Sequence, residues 1–148
     1  MDNYGTFCTP VPLLYLQPNQ RFIEPGPIPL FQIQNQGCYL HSGRVWIGHS
    51  LGSLLEGNVQ IYAQNADGSR ITCIGEVYLH KHTGAYAHND YFDFAHLAKI
   101  TPMPLDVGDL IWCKRDVHNI SLHAFNCFDL EIRINVSWPS AWTPFSLQ

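Results

Sequence analysis

Charge is what this chain has least of. Asp, Glu, Lys and Arg make up 14% of its 148 residues, against about 25% in an ordinary soluble domain. The eight Lys and Arg are scattered, with Lys114 and Arg115 the one adjacent pair. Without clustered cations there is no surface to displace counterions from phosphate, so nucleic acid is not an expected partner. No apolar run approaches the roughly twenty residues of a spanning helix, so no membrane span is expected. Cys-X-X-Cys is missing, and the five cysteines, at 8, 38, 73, 113 and 127, fit no zinc spacing. An odd count, with Cys73, Cys113 and Cys127 inside apolar runs, reads as free thiols folded in a reducing cytoplasm. Asn119-Ile-Ser and Asn135-Val-Ser match the glycosylation pattern and are read as accidental. A long helical period is lacking as well.

A period of two takes its place. From Phe128 to Trp138, Phe128, Leu130, Ile132, Ile134, Val136 and Trp138 alternate with Asp129, Glu131, Arg133, Asn135 and Ser137. Such a run puts one face in a core and the other in water, as in an antiparallel sheet. Strand-like runs also cover 28–34, 38–47, 58–64, 70–82, 91–100, 110–113 and 118–125. Gly48 to Gly57 reads as a loop, Thr83 to Asp90 as another, and Asn65-Ala-Asp-Gly-Ser69 as a hairpin turn. Short strands at regular spacing predict an all-β chain, a single antiparallel β-sandwich or jelly roll. Pro10, Pro12, Pro18, Pro25 and Pro27 interrupt an apolar beginning, so residues 1–27 are expected as an extended arm lying on a surface. Residues 28–138 then form the jelly roll and 139–148 a C-terminal tail.

Leu105-Asp-Val-Gly-Asp-Leu-Ile-Trp-Cys113, followed by a short strand and a long terminal one, resembles the late part of the C1q and tumour-necrosis-factor-like jelly rolls. In that turn Gly108 takes a left-handed conformation and Asp109 bonds back to its own backbone. The likeness covers about the last third of the chain, and the family's terminal Phe-Ser-Gly-like element is not present. It implies a compact trimer whose aromatic faces meet on the axis.

Three chemistries can be weighed. His80-Lys-His82 puts two imidazoles on one side of a strand and resembles the metal-binding cupins, with His123 or His88 as a third ligand. A cupin needs a Glu four or five residues on, where Tyr86 and Ala87 stand here, and strand histidines otherwise serve as hydrogen-bonded groups. Gly48-His-Ser-Leu-Gly52 has the spacing of a hydrolase elbow without its strand–turn–helix context. Trp46, Tyr78, Tyr86, His88 and Tyr91 crowd around the 78–91 loop, either as a carbohydrate pocket or as core and interface rings.

No constellation demands catalysis, a cofactor or a metal. The leading expectation is a structural protein of a phage-like virus particle, a capsid, decoration or fibre component. It would act as a homo-oligomer, with a trimer favoured, or within a larger protein shell. Leu13, Leu14, Tyr15, Phe22, Trp142 and Phe145 are the expected assembly contacts. A lectin-like module or receptor-binding tip and a cupin-like metalloprotein are the alternatives.

Overall fold

The computed structural model describes residues 2–11, 15–49, 54–78, 82–83, 88–93, 103–122 and 128–139. Within them run eleven strands: β1 (Asp2–Val11), β2 (Arg21–Ile23), β3 (Ile28–Gln32), β4 (Cys38–His49), β5 (Leu54–Gln64), β6 (Ile71–Tyr78), β7 (His82–Thr83), β8 (His88–Asp93), β9 (Met103–Leu105), β10 (Leu110–Asn119) and β11 (Phe128–Pro139). None of the described residues is helical. One antiparallel sheet has the order β1-β11-β4-β8, with β9 also beside β4. The other has the order β2-β10-β5-β6, with β3 also on β10 and β7 on β5. The chain is an all-β sandwich.

The apolar set of each alternating strand meets between the sheets. Leu40, Val45, Ile132, Ile134 and Val136 come from the first sheet; Leu30, Phe31, Val59, Ile61, Ile111, Cys113 and Val117 come from the second. Burying a side chain of this size contributes about 1.5–3 kcal/mol, so the core carries the fold. β11 alternates as expected, but Glu131, Arg133 and Asn135 are half-buried rather than fully in water. The reason is position: β11 lies between β1 and β4, whose side chains shelter its polar face. The period holds through Trp138; a bulge opposite Asn135 and Val136 sets His41 of β4 out of register, and the buried Ser137 hydroxyl pairs with His41 Nε2 at 2.7 Å.

Both turns form as their residues suggest. Gly68 has φ 75° in the 65–70 hairpin, where Asn65 Oδ1 accepts from Arg70 N. Gly108 has φ 88°, and Asp109 Oδ2 accepts from Asp106 N at 2.9 Å. A Cβ on Gly108 would stand 2.7 Å from that of Ala66, so the two turns abut at one end of the sandwich.

Three stretches depart from expectation. The loop expected over 48–57 is shorter, because β4 continues to His49 and β5 starts at Leu54. Gly57 is a packing site within β5: at φ 136°, its missing Cβ would meet the Asp116 carbonyl oxygen. The runs 110–113 and 118–125 join through Lys114-Arg115-Asp116 as the single strand β10, with 123–127 outside the described residues. The loop expected over 83–90 gives up His88, Asn89 and Asp90 to β8, and the strand expected over 91–100 is described only to Asp93.

The proline-rich beginning is built into the sandwich, with Val11 and Leu16 in its core and a turn at Pro18 and Asn19. β1 is an edge strand that pairs with β11 along ten residues, and β2 pairs with β10 along three. Pro10 sits in that edge strand, where a missing donor is tolerated. Cys8, Cys38, Cys73 and Cys113 are free thiols, and burial pushes Cys38 and Cys113 up to about 12. Cys127 lies outside the described residues.

Candidate functional site

The residues singled out around the 78–91 loop are divided by the fold. Trp46 and Tyr91 occupy directly opposed positions on β4 and β8 of the first sheet, and His88 opposes His49 there. Tyr78 belongs to the second sheet, at the end of β6 opposite Asn58, and is 68% exposed. His82 lies on β7 opposite Leu55, also in the second sheet. His80, Tyr86, His123, Leu13, Leu14, Trp142 and Phe145 fall outside the described residues. Tyr15 is exposed, whereas Phe22 packs against the core with the Arg115 guanidinium 5.4 Å above its ring. Among the described residues no group of three or more His, Cys, Asp or Glu is placed to hold a metal ion.

A different set assembles on the outer face of the second sheet. On β5, Val59 and Ile61 turn inward, so the period of two sends Asn58, Gln60, Tyr62 and Gln64 outward. β10 matches it, with Ile111, Cys113 and Val117 inward and Trp112, Lys114 and Asp116 outward. The pairing then lays down rows. Ile71, Gln64 and Leu110 form one; Cys73, Tyr62 and Trp112 the next; Glu76, Gln60 and Lys114 a third; Tyr78, Asn58 and Asp116 a fourth. A bulge between Ile61 and Tyr62 keeps Cys73 and Ile71 on this face.

Side chains bind the rows together. The Tyr62 and Trp112 rings stack at 4.3 Å, and Lys114 Nζ stands 5.2 Å from the Tyr62 centroid. Trp112 Nε1 donates to Gln64 Oε1 at 3.1 Å, the Tyr62 hydroxyl to Gln60 Oε1 at 2.7 Å, and Gln60 Nε2 to Glu76 Oε2 at 2.8 Å. Hydrogen bonds from Tyr78 and Gln60 hold the Glu76 carboxyl below the usual carboxylate range, and the same contact raises the Tyr78 phenol. This network supplies no nucleophile–base pair. It is an aromatic centre bordered by neutral amides and by Glu76, Lys114 and Asp116.

The edge of this sheet is fastened by polar clamps. Arg115 is buried and its Nε donates to Glu24 Oε2 at 2.8 Å. The fully buried Asn119 donates through Nδ2 to the carbonyls of Leu16 and Gln17 and accepts from Ser121 N through Oδ1. That use of the amide leaves the Asn119 sequon closed to glycosylation in the folded chain. On the surface, Arg21 grips Asp116 with two hydrogen bonds, which lower the Asp116 carboxyl.

Hollows lie elsewhere too, one of about 470 Å³ beside Gly37, Cys38, Tyr39 and Asp106. The cleft between the two turns, lined by Asn65, Arg70, Thr72, Asp106 and Asp109, holds about 180 Å³, below the roughly 300 Å³ at which ligand pockets begin. Burial there raises the Asp109 carboxyl. On the first sheet's outer face, Tyr4, Thr6, His41 and Asn135 line a shallow groove.

Reasoning from the sequence passed over Trp112, Tyr62, Lys114, Arg115 and Asn119. The signal for the first three is the period of two itself: extended from β5 to 110–117, it turns every second residue of an otherwise apolar run to the outer face, where Tyr62 covers Trp112.

No protein-family model matches this chain, and no curated protein does. Solved structures similar to it come from infectious bursal disease virus. The Gx strain aligns with a TM-score of 0.47 and 11% identity, over 99% of this chain and 35% of that one. The Gt strain gives 0.45 and 12%, over 99% and 35%. A mutant VP2 protein in derived T=1 particles gives 0.40 and 11%, over 99% and 38%. The chain thus spans about a third of the length of the viral chains it resembles.

Proposed function

We propose that this chain is a structural subunit of a virus particle, a capsid, decoration or fibre component that works by associating with copies of itself. The observation that carries the reading is the outer face of the second sheet. Three of the large apolar side chains exposed there, Ile23, Ile71 and Tyr78, share it with the stacked Tyr62 and Trp112. Scattered apolar residues are ordinary on a surface, but several on one face mark a contact. The low charge of the whole chain points the same way, since charge is depleted where subunits meet. A homotrimer is the symmetry expected from the C1q-like resemblance.

The test is light scattering on the full chain after size exclusion across a hundredfold range of concentration, with electron microscopy of the heaviest fraction. Association that grows with concentration, into closed rings, shells or fibres, is the expected result. A single-chain mass at every concentration would overturn the reading.

A further inference from the structure

The order of side chains on the second sheet's outer face is self-complementary. β6 and β10 flank β5 at equal spacing, about 4.8 Å on either side. A two-fold axis lying above the face and running along β5 therefore brings β6 of one copy over β10 of the other. Each row then meets its own reverse. Glu76 faces Lys114, and Lys114 faces Glu76, while Gln60 faces Gln60 as one amide can pair with another. Tyr78 faces Asp116, each already engaged within its own copy, by Glu76 and by Arg21. Cys73 faces Trp112 and Ile71 faces Leu110, apolar against apolar. Three of the four rows match, and no row sets like charges against each other.

We infer that two copies of this chain pack face to face through this surface, about a two-fold axis along β5. The inference rests on the self-association reading above and names a two-fold contact distinct from the three-fold one of a trimer. An isologous contact needs one patch that matches itself, which is what the rows supply. Stacked sheets lie about 10 Å apart with strands within about 30°, so the rows nearest Gln60 stay best aligned. Three strands by seven residues, β6, β5 and β10, give a face of roughly 14 by 23 Å, about 650 Å² for the pair. That is below the roughly 1,200 Å² of a standard interface. The pair is accordingly weak and concentration-dependent, the strength that suits a contact repeated across an assembly.

Charge reversal tests the axis directly. In Lys114→Glu both facing positions become negative, and in Glu76→Lys both become positive. Each variant alone should need at least tenfold more protein to associate. Mixed in equal amounts, they restore both opposite-sign contacts, so the mixture should return to within about threefold of the parent. A single chain carrying both changes should do the same. Circular dichroism checks folding; should Glu76→Lys not fold, Glu76→Gln replaces it, and its mixture with Lys114→Glu recovers part of the loss. Variants that associate like the parent, or a mixture that recovers nothing, would overturn this contact and leave self-association standing. A parent that never associates would overturn both.

Discussion

The proline-rich beginning of the chain is held in two unlike ways. Its first half, β1, is bound by a backbone ladder ten residues long, and its outward side chains Tyr4, Thr6 and Cys8 are exposed. Its second half, residues 15–24, pairs along the three residues of β2, with further backbone bonds from Asn19, Gln20 and Glu24 to Asn119 and Arg115, and adds side-chain clamps: Asn119 on the carbonyls of Leu16 and Gln17, Glu24 on Arg115, Arg21 on Asp116. A ladder is spread over many small contributions and tolerates exchange of side chains. A clamp concentrates its contribution in a few buried polar atoms. The difference teaches where the molecule is fragile: the second half should fail at single residues and the first should not.

The sharpest break is at Arg115. Its replacement by Ala leaves Glu24, whose side chain is only 11% exposed, as a nearly buried carboxylate without its guanidinium. Removing one partner of such a pair costs about 3–5 kcal/mol, and the ring of Phe22 also loses its cover. Urea denaturation should show this as a fall in midpoint at unchanged slope. The paired change Arg115→Met with Glu24→Leu removes both charges and should recover most of the loss. If the double variant is as unstable as Arg115→Ala, packing rather than charge holds the segment.

Asn119→Ala comes next. It strips the donors from two carbonyls and the acceptor from Ser121, at about 1–3 kcal/mol for each buried group left wanting. Partial rescue by water and by relaxation brings the expected loss to about 2–3 kcal/mol. Hydrogen exchange gives the more specific reading. The amides of Asn19 and Gln20, bonded to the carbonyls of Asn119 and Gln17, should lose protection, while those along β1 should not. The contrast is completed by Thr6→Ala in β1, which deletes an exposed 2.6 Å bond to Asn135 and should stay within about 0.5 kcal/mol.

The same division decides what the sequence could disclose. Ladders and cores are written locally. The alternation from Phe128 to Trp138 announces β11, and Gly108 and Asp109 announce their turn, because a period and a glycine act on their neighbours. Clamps are written across the chain. Nothing around Lys114-Arg115-Asp116 says that Glu24, ninety-one positions earlier, neutralises Arg115, so three charges in a row read as the end of a strand and are its middle. Gly48 and Gly57 misled in the same manner: as breakers they suggest a loop, whereas Gly57 exists to admit the Asp116 carbonyl. The candidate site shows the same split between near and distant partners. Tyr78 and Tyr91 are close in sequence and lie on different sheets. Tyr62 and Trp112, fifty positions apart, stack.

Arg21 and Asp116 offer the gentlest test, because theirs is a clamp in geometry but not in burial. The contact is bidentate, at 2.8 and 2.6 Å, yet the Arg21 side chain is 59% exposed. Exposed pairs are screened by water and salt and contribute little. The sign of the effect is nonetheless fixed. Hydrogen bonds from Arg21 lower the Asp116 carboxyl in the folded chain, so the folded state holds this proton less readily than the unfolded one. The stability that follows is present above the unfolded carboxylate value, about 3.9, and is lost as pH falls through the lower, folded value. Thermal melts of the parent and of Arg21→Ala should therefore differ at pH 7 and converge as the pH drops below that range. High salt should narrow the gap at pH 7. The buried Arg115 pair is screened far less, so the gap between the parent and Arg115→Ala should hardly respond to the same salt. If both gaps shrink alike, the distinction between a surface grip and a buried clamp does not hold for this strap.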